Sequence, residues 1–458
     1  MASAYETYFA SLAGKRVALL GFGVSNRPLL PLLCRAGAVV SIRDSKTDLK
    51  LQEDSFDWRE YNIQFHLGET HMENMDEESI IRSPGLLPTL PALRKAAANG
   101  SIITSEMELF FALCPCKVIG ITGSNGKTTT SALVSKILET AGHSVYLGGN
   151  IGTPLLPVIP KMTEDSIAVV ELSSFQLMDM GKSPSVAVVT NVAPNHLDKH
   201  TDMDEYVTAK EAIFAFQRSS DLLVANFDND YTRSFLQKAK GRTLAFSDQA
   251  EPTKGIYAKD GVIYRNGTPV LEEKDMILPG RHNVQNMMAA IGATVGLAEP
   301  EHIQKVAKTF GGVEHRMEFV REYNGVSYYN SSIDSSPSRT VAALSCFTRP
   351  VVLLAGGYDK HIPFEPMAES VIKTVRHLIL TGHTAEKIEN AVVSHPKYRP
   401  GYPEISHAEN LEQAVQLAAK TARAGEAVLL SPACASFDAF ANFEERGKAF
   451  KEAVRRLS

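Results

Sequence analysis

The segment Gly120-Ile-Thr-Gly-Ser-Asn-Gly-Lys-Thr-Thr129 has the parts needed for phosphate chemistry. Gly123 and Gly126 let backbone N–H groups close around phosphate oxygens. Lys127 offers a cation to β- and γ-phosphates, and the Thr128 hydroxyl is a hard oxygen ligand for Mg2+. Ser124, Asn125 and Thr129 complete the loop. The spacing is not the common G-x-x-x-x-G-K-[ST], because Ile121 stands where its first glycine would fall. A Gly-Lys-Thr-Thr that follows an apolar strand and opens a helix nevertheless points to a nucleoside triphosphate rather than to a structural turn.

Three further features follow in the same region. Ile167-Ala-Val-Val-Glu171 reads as a strand ending in a carboxylate. Val186-Ala-Val-Val-Thr-Asn191 is another strand, leading to Asn195-His196-Leu-Asp198. Tyr206-Val-Thr-Ala-Lys210 lies on a following helix. Mg2+ takes hard oxygen ligands in octahedral geometry and shares substrate phosphates, a role that suits Glu171. His196 is a softer ligand, and Lys210, by residue type alone, reads as a solvated helix charge.

A second glycine turn, Gly21-Phe-Gly23-Val24-Ser25-Asn26, follows a strand near the N-terminus. The next strand, Ala38-Val-Val-Ser-Ile-Arg43, ends at Asp44. Glycines here allow backbone amides to approach a phosphate, and the acid can reach a sugar hydroxyl. Asn26 replaces the third glycine of the dinucleotide fingerprint, so nucleotide binding and a merely tight strand–helix turn both remain open. Ser83-Pro-Gly85 ends another strand of this unit and is either a turn or a backbone contact to the same ligand.

Strand–turn–helix units must position these residues. Apolar runs lead into glycine turns at Arg16–Gly23, Lys117–Gly123 and Pro350–Gly357. Unbroken apolar runs suit strands covered on both faces, as in a parallel sheet. Helical stretches alternate with them, as at Thr128–Ala141 and Leu411–Arg423, which predicts an α/β fold throughout. With 458 residues, about three domains are expected. One cut falls near 104, after the strand Ser101-Ile-Ile-Thr. The other falls at Gly311-Gly312, after the helical stretch His302–Thr309.

The charge balance, 47 − 52 = −5, argues against a nucleic-acid binder but not against an anionic ligand in a local pocket. The five cysteines are scattered, and Cys114-Pro-Cys116 lacks zinc-site spacing, so free thiols in a reducing cytoplasm are expected. No basic stretch followed by an apolar run opens the chain, so no signal peptide is expected. No apolar stretch approaches the ~20 residues of a membrane helix.

Together these residues resemble the Mur ligases, a family with folylpolyglutamate synthase as a relative. Thr122–Thr129 looks like the family's ATP loop. Gly148-Gly-Asn-Ile-Gly152, Glu171–Leu177, Gly280-Arg-His-Asn283 with Asn286, His315-Arg316, Leu429–Asp438 and Asn442–Gly447 are similar to family stretches. The likeness spans the whole chain and is greatest to members that add D-glutamate. It implies an N-terminal Rossmann-like UDP-binding domain (1–104), a central P-loop ATPase-type domain with a mostly parallel sheet (105–311), and a C-terminal Rossmann-like amino-acid-binding domain (312–458). It further implies an ATP-dependent ligase that joins D-glutamate to UDP-N-acetylmuramoyl-L-alanine through an acyl phosphate, in cytoplasmic peptidoglycan precursor synthesis. Such an enzyme works as a monomer, with no nucleic-acid or membrane partner.

The resemblance also implies roles for individual residues. Gly123 to Thr129, Asn286 and Arg316 would contact ATP. Gly21, Gly23, Val24, Ser25, Asp44, Ser83 and Gly85 would face the UDP moiety, and Asn150 the muramoyl group. Lys360, Ser436 and Phe437 would line the D-glutamate site. Thr128 and Glu171 would hold one Mg2+, with His196 and Lys210 holding a second. Lys210 matches a family lysine carboxylated by CO2. Lys127, His196 and Lys210 would carry the catalytic roles. The chain departs from the family after Asn330, where many members read Asp-Ser-Lys-Ala-Thr-Asn. Here Ser331-Ser-Ile-Asp-Ser-Ser336 displaces the acid to Asp334 and puts Ile333 at the lysine position, leaving Asp334 or Arg339 to compensate. Rival readings are another ligase of the family, a nicotinamide-dependent oxidoreductase built on the Gly21 turn, and a P-loop protein without ligase chemistry. The oxidoreductase reading leaves Lys127 and the Glu171 strand without a role.

Overall fold

The computed structural model describes residues 3–49, 56–178, 180–194 and 199–457. Among these, the strands form three sheets of five, nine and six strands. The first holds β1 (Arg16–Leu20), β2 (Val39–Asp44), β3 (Ile63–Leu67), β4 (Ser79–Arg82) and β5 (Ile102–Ser105). Its order is β3-β2-β1-β4-β5 and every pairing is parallel. Val17 to Leu20 are fully buried, which is why this strand reads as a continuous apolar run rather than an alternating one.

The second sheet holds β6 (Lys117–Thr122), β7 (Val145–Gly149), β8 (Ile167–Glu171), β9 (Val186–Val189), β10 (Leu222–Asn226), β11 (Arg242–Ser247), β12 (Gly255–Lys259), β13 (Val262–Arg265) and β14 (Thr268–Glu272). Its order is β14-β13-β12-β11-β10-β9-β6-β8-β7, parallel except where β12, β13 and β14 meander antiparallel. The helix Lys127–Thr140 packs on β7 and β8. Leu133, Val134, Ile137 and Leu138, at helical spacing, form its buried face. The third sheet holds β15 (Glu318–Tyr323), β16 (Val326–Asn330), β17 (Val351–Gly356), β18 (Val375–Thr381), β19 (Glu404–His407) and β20 (Ala427–Leu430). Its order is β15-β16-β20-β17-β18-β19, antiparallel only at β15/β16.

This is the α/β architecture with mostly parallel sheets that the apolar runs predict. The chain divides into two compact units, Met1–Glu273 with Val284–Val306, and Lys274–Asn283 with Ala307–Ser458. The first two sheets belong to the first unit and the third sheet to the second. Within the first unit one apolar cluster runs from Val17 and Leu19 through Phe110 to Val170. Among the described residues, no helix is long and apolar enough to cross a membrane.

Candidate active site

Parallel sheets bind ligands beyond the carboxyl ends of their strands, where the strand order reverses. In the second sheet β6 lies between β8 and β9, so Gly123, Leu172 and Thr190 emerge side by side. Gly123 has φ +149°, and a side-chain carbon there would stand 1.9 Å from Thr190 Oγ1. Gly126 has φ +81°, and its added carbon would stand 2.3 Å from Asn286 Oδ1. Both glycines are therefore required by the loop's own packing, apart from any phosphate.

The rest of the loop is held by residues after β9. Asn191 accepts from Ser124 N–H through its carbonyl (2.8 Å) and from Asn125 N–H through its side chain (3.0 Å). Thr190 Oγ1 donates to Asn125 O at 2.6 Å. Ser124 Oγ donates to Ala193 O at 2.8 Å and lies 2.9 Å from Tyr206 Oη. Gly126 caps the helix Lys127–Thr140, whose first amides lack intrahelical acceptors and give the loop its anion-binding character. Lys127 Nζ donates to Gly123 O at 2.8 Å and Ser124 O at 3.1 Å, so its charge sits over the loop. Thr128 is buried in the first turn. Asn286 accepts from Thr130 Oγ1 at 3.3 Å and so joins the loop's supporting helix.

Glu171 ends β8 and is 1% exposed. Its Oε1 accepts from Asn150 Nδ2 at 2.8 Å, and Asn150 N–H donates to Glu171 O at 2.8 Å. Its Oε2 is buried with no hydrogen-bond partner among the described residues. A buried carboxylate oxygen left so is costly, and a hard divalent cation satisfies it. The residues thus fit a Mg2+ site. No three His, Cys, Asp or Glu side chains converge among the described residues, so the Thr128 hydroxyl, water and phosphate oxygens would complete such a shell.

Lys210 lies on the helix Met203–Ala215 and is 1% exposed, which corrects its reading as a solvated helix charge. Its Nζ donates to Gly123 O at 3.0 Å and Thr122 Oγ1 at 3.5 Å, and lies 4.6 Å from the centre of the Tyr206 ring. Burial, and then the nearby Lys127 charge, push its pKa down to about 7. His196 lies outside the described residues.

In the first sheet, β1 and β4 are neighbours, so Gly21 and Ser83 emerge together. A side-chain carbon on Gly21 would stand 2.7 Å from Ser83 Cβ. Asn26, where a third glycine was looked for, is fully buried. Its Nδ2 donates to Gly21 O at 2.9 Å and Ile81 O at 3.0 Å, tying the two turns together. Asp44 Oδ2 accepts from Phe22 N–H at 2.6 Å and Oδ1 from Lys46 N–H at 2.8 Å. The acid read as a sugar contact therefore also closes the glycine turn. Val24 is 76% exposed, and nothing lies within 4 Å of the space a side chain would take at Gly23 or Gly85, leaving this rim open.

In the third sheet, Lys360 Nζ reaches Ser335 at 3.5 Å (O) and 3.4 Å (Oγ), in the divergent loop. Ser436 is buried, whereas Phe437 is 64% exposed and packs edge-on to Tyr358 at 5.9 Å. Asp334 is buried and accepts from Ser431 Oγ at 2.9 Å. Burial pushes its pKa up to about 6, against the hydrogen bonds from Ser331 and Ser431 that favour the anion. Arg339 donates to Ile333 O at 3.2 Å. Arg316 N–H donates to Val313 O at 2.9 Å, and the preceding His315 packs against Gly447.

The model of the Mur ligase middle domain matches residues 121–294, and that of the Mur ligase glutamate ligase domain matches 315–434. A UDP-N-acetylmuramoylalanine–D-glutamate ligase from Clostridium novyi (strain NT) is 46% identical over 458 residues, covering all of both chains. The protein of that name from Acetivibrio thermocellus is 45% identical over 97% of each chain. This chain belongs to the Mur ligase family. Solved Mur ligases share its fold. The UDP-N-acetylmuramate-alanine ligase MurC of Thermotoga maritima aligns with TM-score 0.59 at 16% identity, over 96% of this chain and 99% of that one. MurF of Acinetobacter baumannii aligns at 0.58 and 15% identity, over 97% and 92%.

Several residues that shape these candidate sites, each within its own unit, carried no role in the sequence reading. Thr190, Asn191 and Tyr206 shape the phosphate loop, and Arg446 braces the third-sheet loops. Arg446 is buried and donates to Ser332 Oγ (3.0 Å), Ser332 O (2.9 Å), Ala435 O (3.0 Å) and Cys434 O (3.0 Å). A faint signal existed for Tyr206, which stands four residues before Lys210 and so shares its helix face. Asn191 directly follows an apolar strand, as Glu171 ends one. Arg446 falls in the family-like stretch Asn442–Gly447, but its bond to Ser332, 114 residues away, left no local trace.

Proposed function

We propose that the chain joins D-glutamate to UDP-N-acetylmuramoyl-L-alanine with consumption of one ATP, in cytoplasmic peptidoglycan precursor synthesis. Full-length identity of 46% to a protein named for that reaction carries the substrate assignment. The phosphate loop with Lys127, Lys210 and the open oxygen of Glu171 supports the chemistry. In this reading 1–104 binds the UDP substrate, 105–311 binds ATP, and 312–458 binds the amino acid.

A carboxylate resists attack by an amine, because it is negatively charged and its oxygen is a poor leaving group. The alanyl carboxylate therefore attacks the γ-phosphorus of ATP, the bond to the β-phosphate oxygen breaks, and ADP leaves. The D-glutamate amine then attacks the acyl-phosphate carbonyl, loses a proton, and expels phosphate. Positioning and charge neutralisation are the protein's part. The loop amides and Lys127 hold the γ-phosphoryl group, Asn286 supports the loop, and Arg316 is a second proposed ATP contact. Gly21 to Ser25, Asp44, Ser83 and Gly85 hold the UDP group, while Asn150 orients the muramoyl end. Lys360, Ser436 and Phe437 receive D-glutamate.

Thr128 and Glu171 are the proposed ligands of one Mg2+, with His196 and carboxylated Lys210 as those of a second. Bound Mg2+ would offset the charge gathering on the phosphoryl oxygens. Only the neutral amine of Lys210 reacts with CO2, giving a carbamate and a proton. The lowered pKa places that amine within reach near neutral pH.

The deciding experiment measures phosphate release with ATP and UDP-N-acetylmuramoyl-L-alanine, offering D-glutamate, L-glutamate, L-alanine or meso-diaminopimelate separately. Stimulation by D-glutamate alone is expected. Stimulation by another of these amino acids instead would overturn the assignment.

A further inference from the structure

Two thiols that the ligation does not use lie together where the chain passes from the first sheet to the second. Cys114 caps the C-terminal end of the helix Glu106–Leu113, its N–H donating to Phe110 O at 2.8 Å. Cys116 directly precedes β6, and Pro115 between them restricts the backbone. The two Sγ atoms are 3.5 Å apart, and both side chains are half-buried at the edge of the apolar cluster. A disulfide needs the sulfurs at about 2.05 Å, so the pair has to close from its 3.5 Å separation.

We propose that Cys114 and Cys116 form a redox-active dithiol that closes to an intrachain disulfide by exchange with a small-molecule disulfide. The Cys116 thiolate attacks one sulfur of that disulfide. A new S–S bond forms, the old one breaks, and one small thiolate leaves with the electron pair and takes up a proton. Cys114 then loses its proton and attacks Cys116 Sγ, expelling the second small thiol. Two cysteines are oxidised by two electrons, and one small disulfide is reduced to two thiols.

The surroundings of the two sulfurs differ in a way that favours Cys116 as the first to attack. The 3.5 Å contact with Cys114, joined by a hydrogen bond from the Ala168 amide, lowers the pKa of Cys116 although burial opposes it. The same contact, with burial, raises the pKa of Cys114 and keeps it a thiol. At the other three cysteines burial outweighs every other influence. Burial pushes Cys34, Cys346 and Cys434 each up to about 11. The pair should therefore oxidise before them.

The test uses the full chain equilibrated anaerobically with mixtures of reduced and oxidised glutathione, quenched in acid, labelled with N-ethylmaleimide and digested with trypsin. The peptide 96–117 carries both thiols and no other cysteine. It should lose both labels together and weigh two hydrogens less, at glutathione ratios where Cys34, Cys346 and Cys434 remain labelled. Cys114→Ser should trap a stable glutathione adduct on Cys116, and Cys116→Ser should react at least tenfold more slowly. Retention of both labels while the other cysteines oxidise would overturn the proposal. So would a persistent glutathione adduct in the unsubstituted chain, or equal rates in the two variants.

Discussion

Lys127 and Lys210 share one acceptor, the carbonyl of Gly123, and this shared contact shapes what each does. Two ammonium groups around one oxygen repel, and the more buried one yields its proton more readily. Lys127 stays available as a cation for phosphate, while Lys210 is poised to react as an amine. Lys127→Ala should lower substrate-dependent phosphate release by about 10²–10³, the usual effect of removing one preorganised electrostatic contact. Its circular dichroism should match the parent chain, and near-normal turnover would refute the role given to Lys127. Lys210→Ala should be nearly inactive if the side chain works as a carboxylated oxygen donor. Millimolar formate or acetate should restore part of the activity, because either can place a carboxylate in the vacated space. Activity that needs no added carboxylate would contradict the proposal.

Glu106 shows how an element near the site is anchored. It opens the helix Glu106–Leu113, and its Oε1 accepts from Leu156 N–H at 2.9 Å, at the start of the 3-10 helix Leu156–Lys161. That turn follows the Gly148–Gly152 stretch containing Asn150. Burial raises the Glu106 pKa from 4.5 to about 7, against the amide hydrogen bonds from Leu156 and Leu155. Between these two values the folded chain holds a proton that the unfolded chain has released, so stability falls as pH rises through this window. Glu106→Gln keeps an acceptor for Leu156 N–H and removes the titration. The first unit, which holds Glu106, should lose about 3 kcal/mol more in the parent chain than in the variant between pH 4.5 and 7.5. Parallel stability curves for the two chains over that range would contradict this account.

Contacts of this kind explain which parts of the site were legible in the sequence. The loop after β6 and the turn after β1 announced themselves, because a strand, glycines and a helix lie consecutively in the chain. Glu171 was legible because a charged residue ending an apolar strand stands out. Residue type alone makes Lys210 a solvated charge, and only the family resemblance gave it a role, since its bonds to Thr122 and Gly123 join residues far apart in sequence. Asp44 was read as a sugar contact, but its closure of the glycine turn through Phe22 and Lys46 depends on strand register. Arg446 stood in a family-like stretch without a role, because a buried arginine on an amphipathic helix looks like a solvated one until Ser332, Ala435 and Cys434 surround it.

At the scale of the whole chain, each of the two compact units has an apolar cluster of its own, so the units are expected to unfold separately rather than with one free energy. The sequence supplies a reporter for one of them. Trp58 is the single tryptophan and lies in the first unit, edge-on to Phe65 at 5.6 Å. Arg446 lies in the second unit, and Arg446→Met removes four donated hydrogen bonds, leaving the carbonyls of Ser332, Cys434 and Ala435 without that donor. Burial already lowers the Arg446 pKa to about 10, yet these acceptors and the charges of Asp438 and Asp334 keep it a cation at neutral pH. Its loss should destabilise the second unit by about 3 kcal/mol, as removal of one partner from a buried network does. In urea, the far-ultraviolet circular dichroism transition of the variant should broaden or split toward lower denaturant, because both units contribute to it. The Trp58 fluorescence midpoint should stay where it is in the parent chain. A fluorescence midpoint that moves together with the dichroism would show the units unfolding as one.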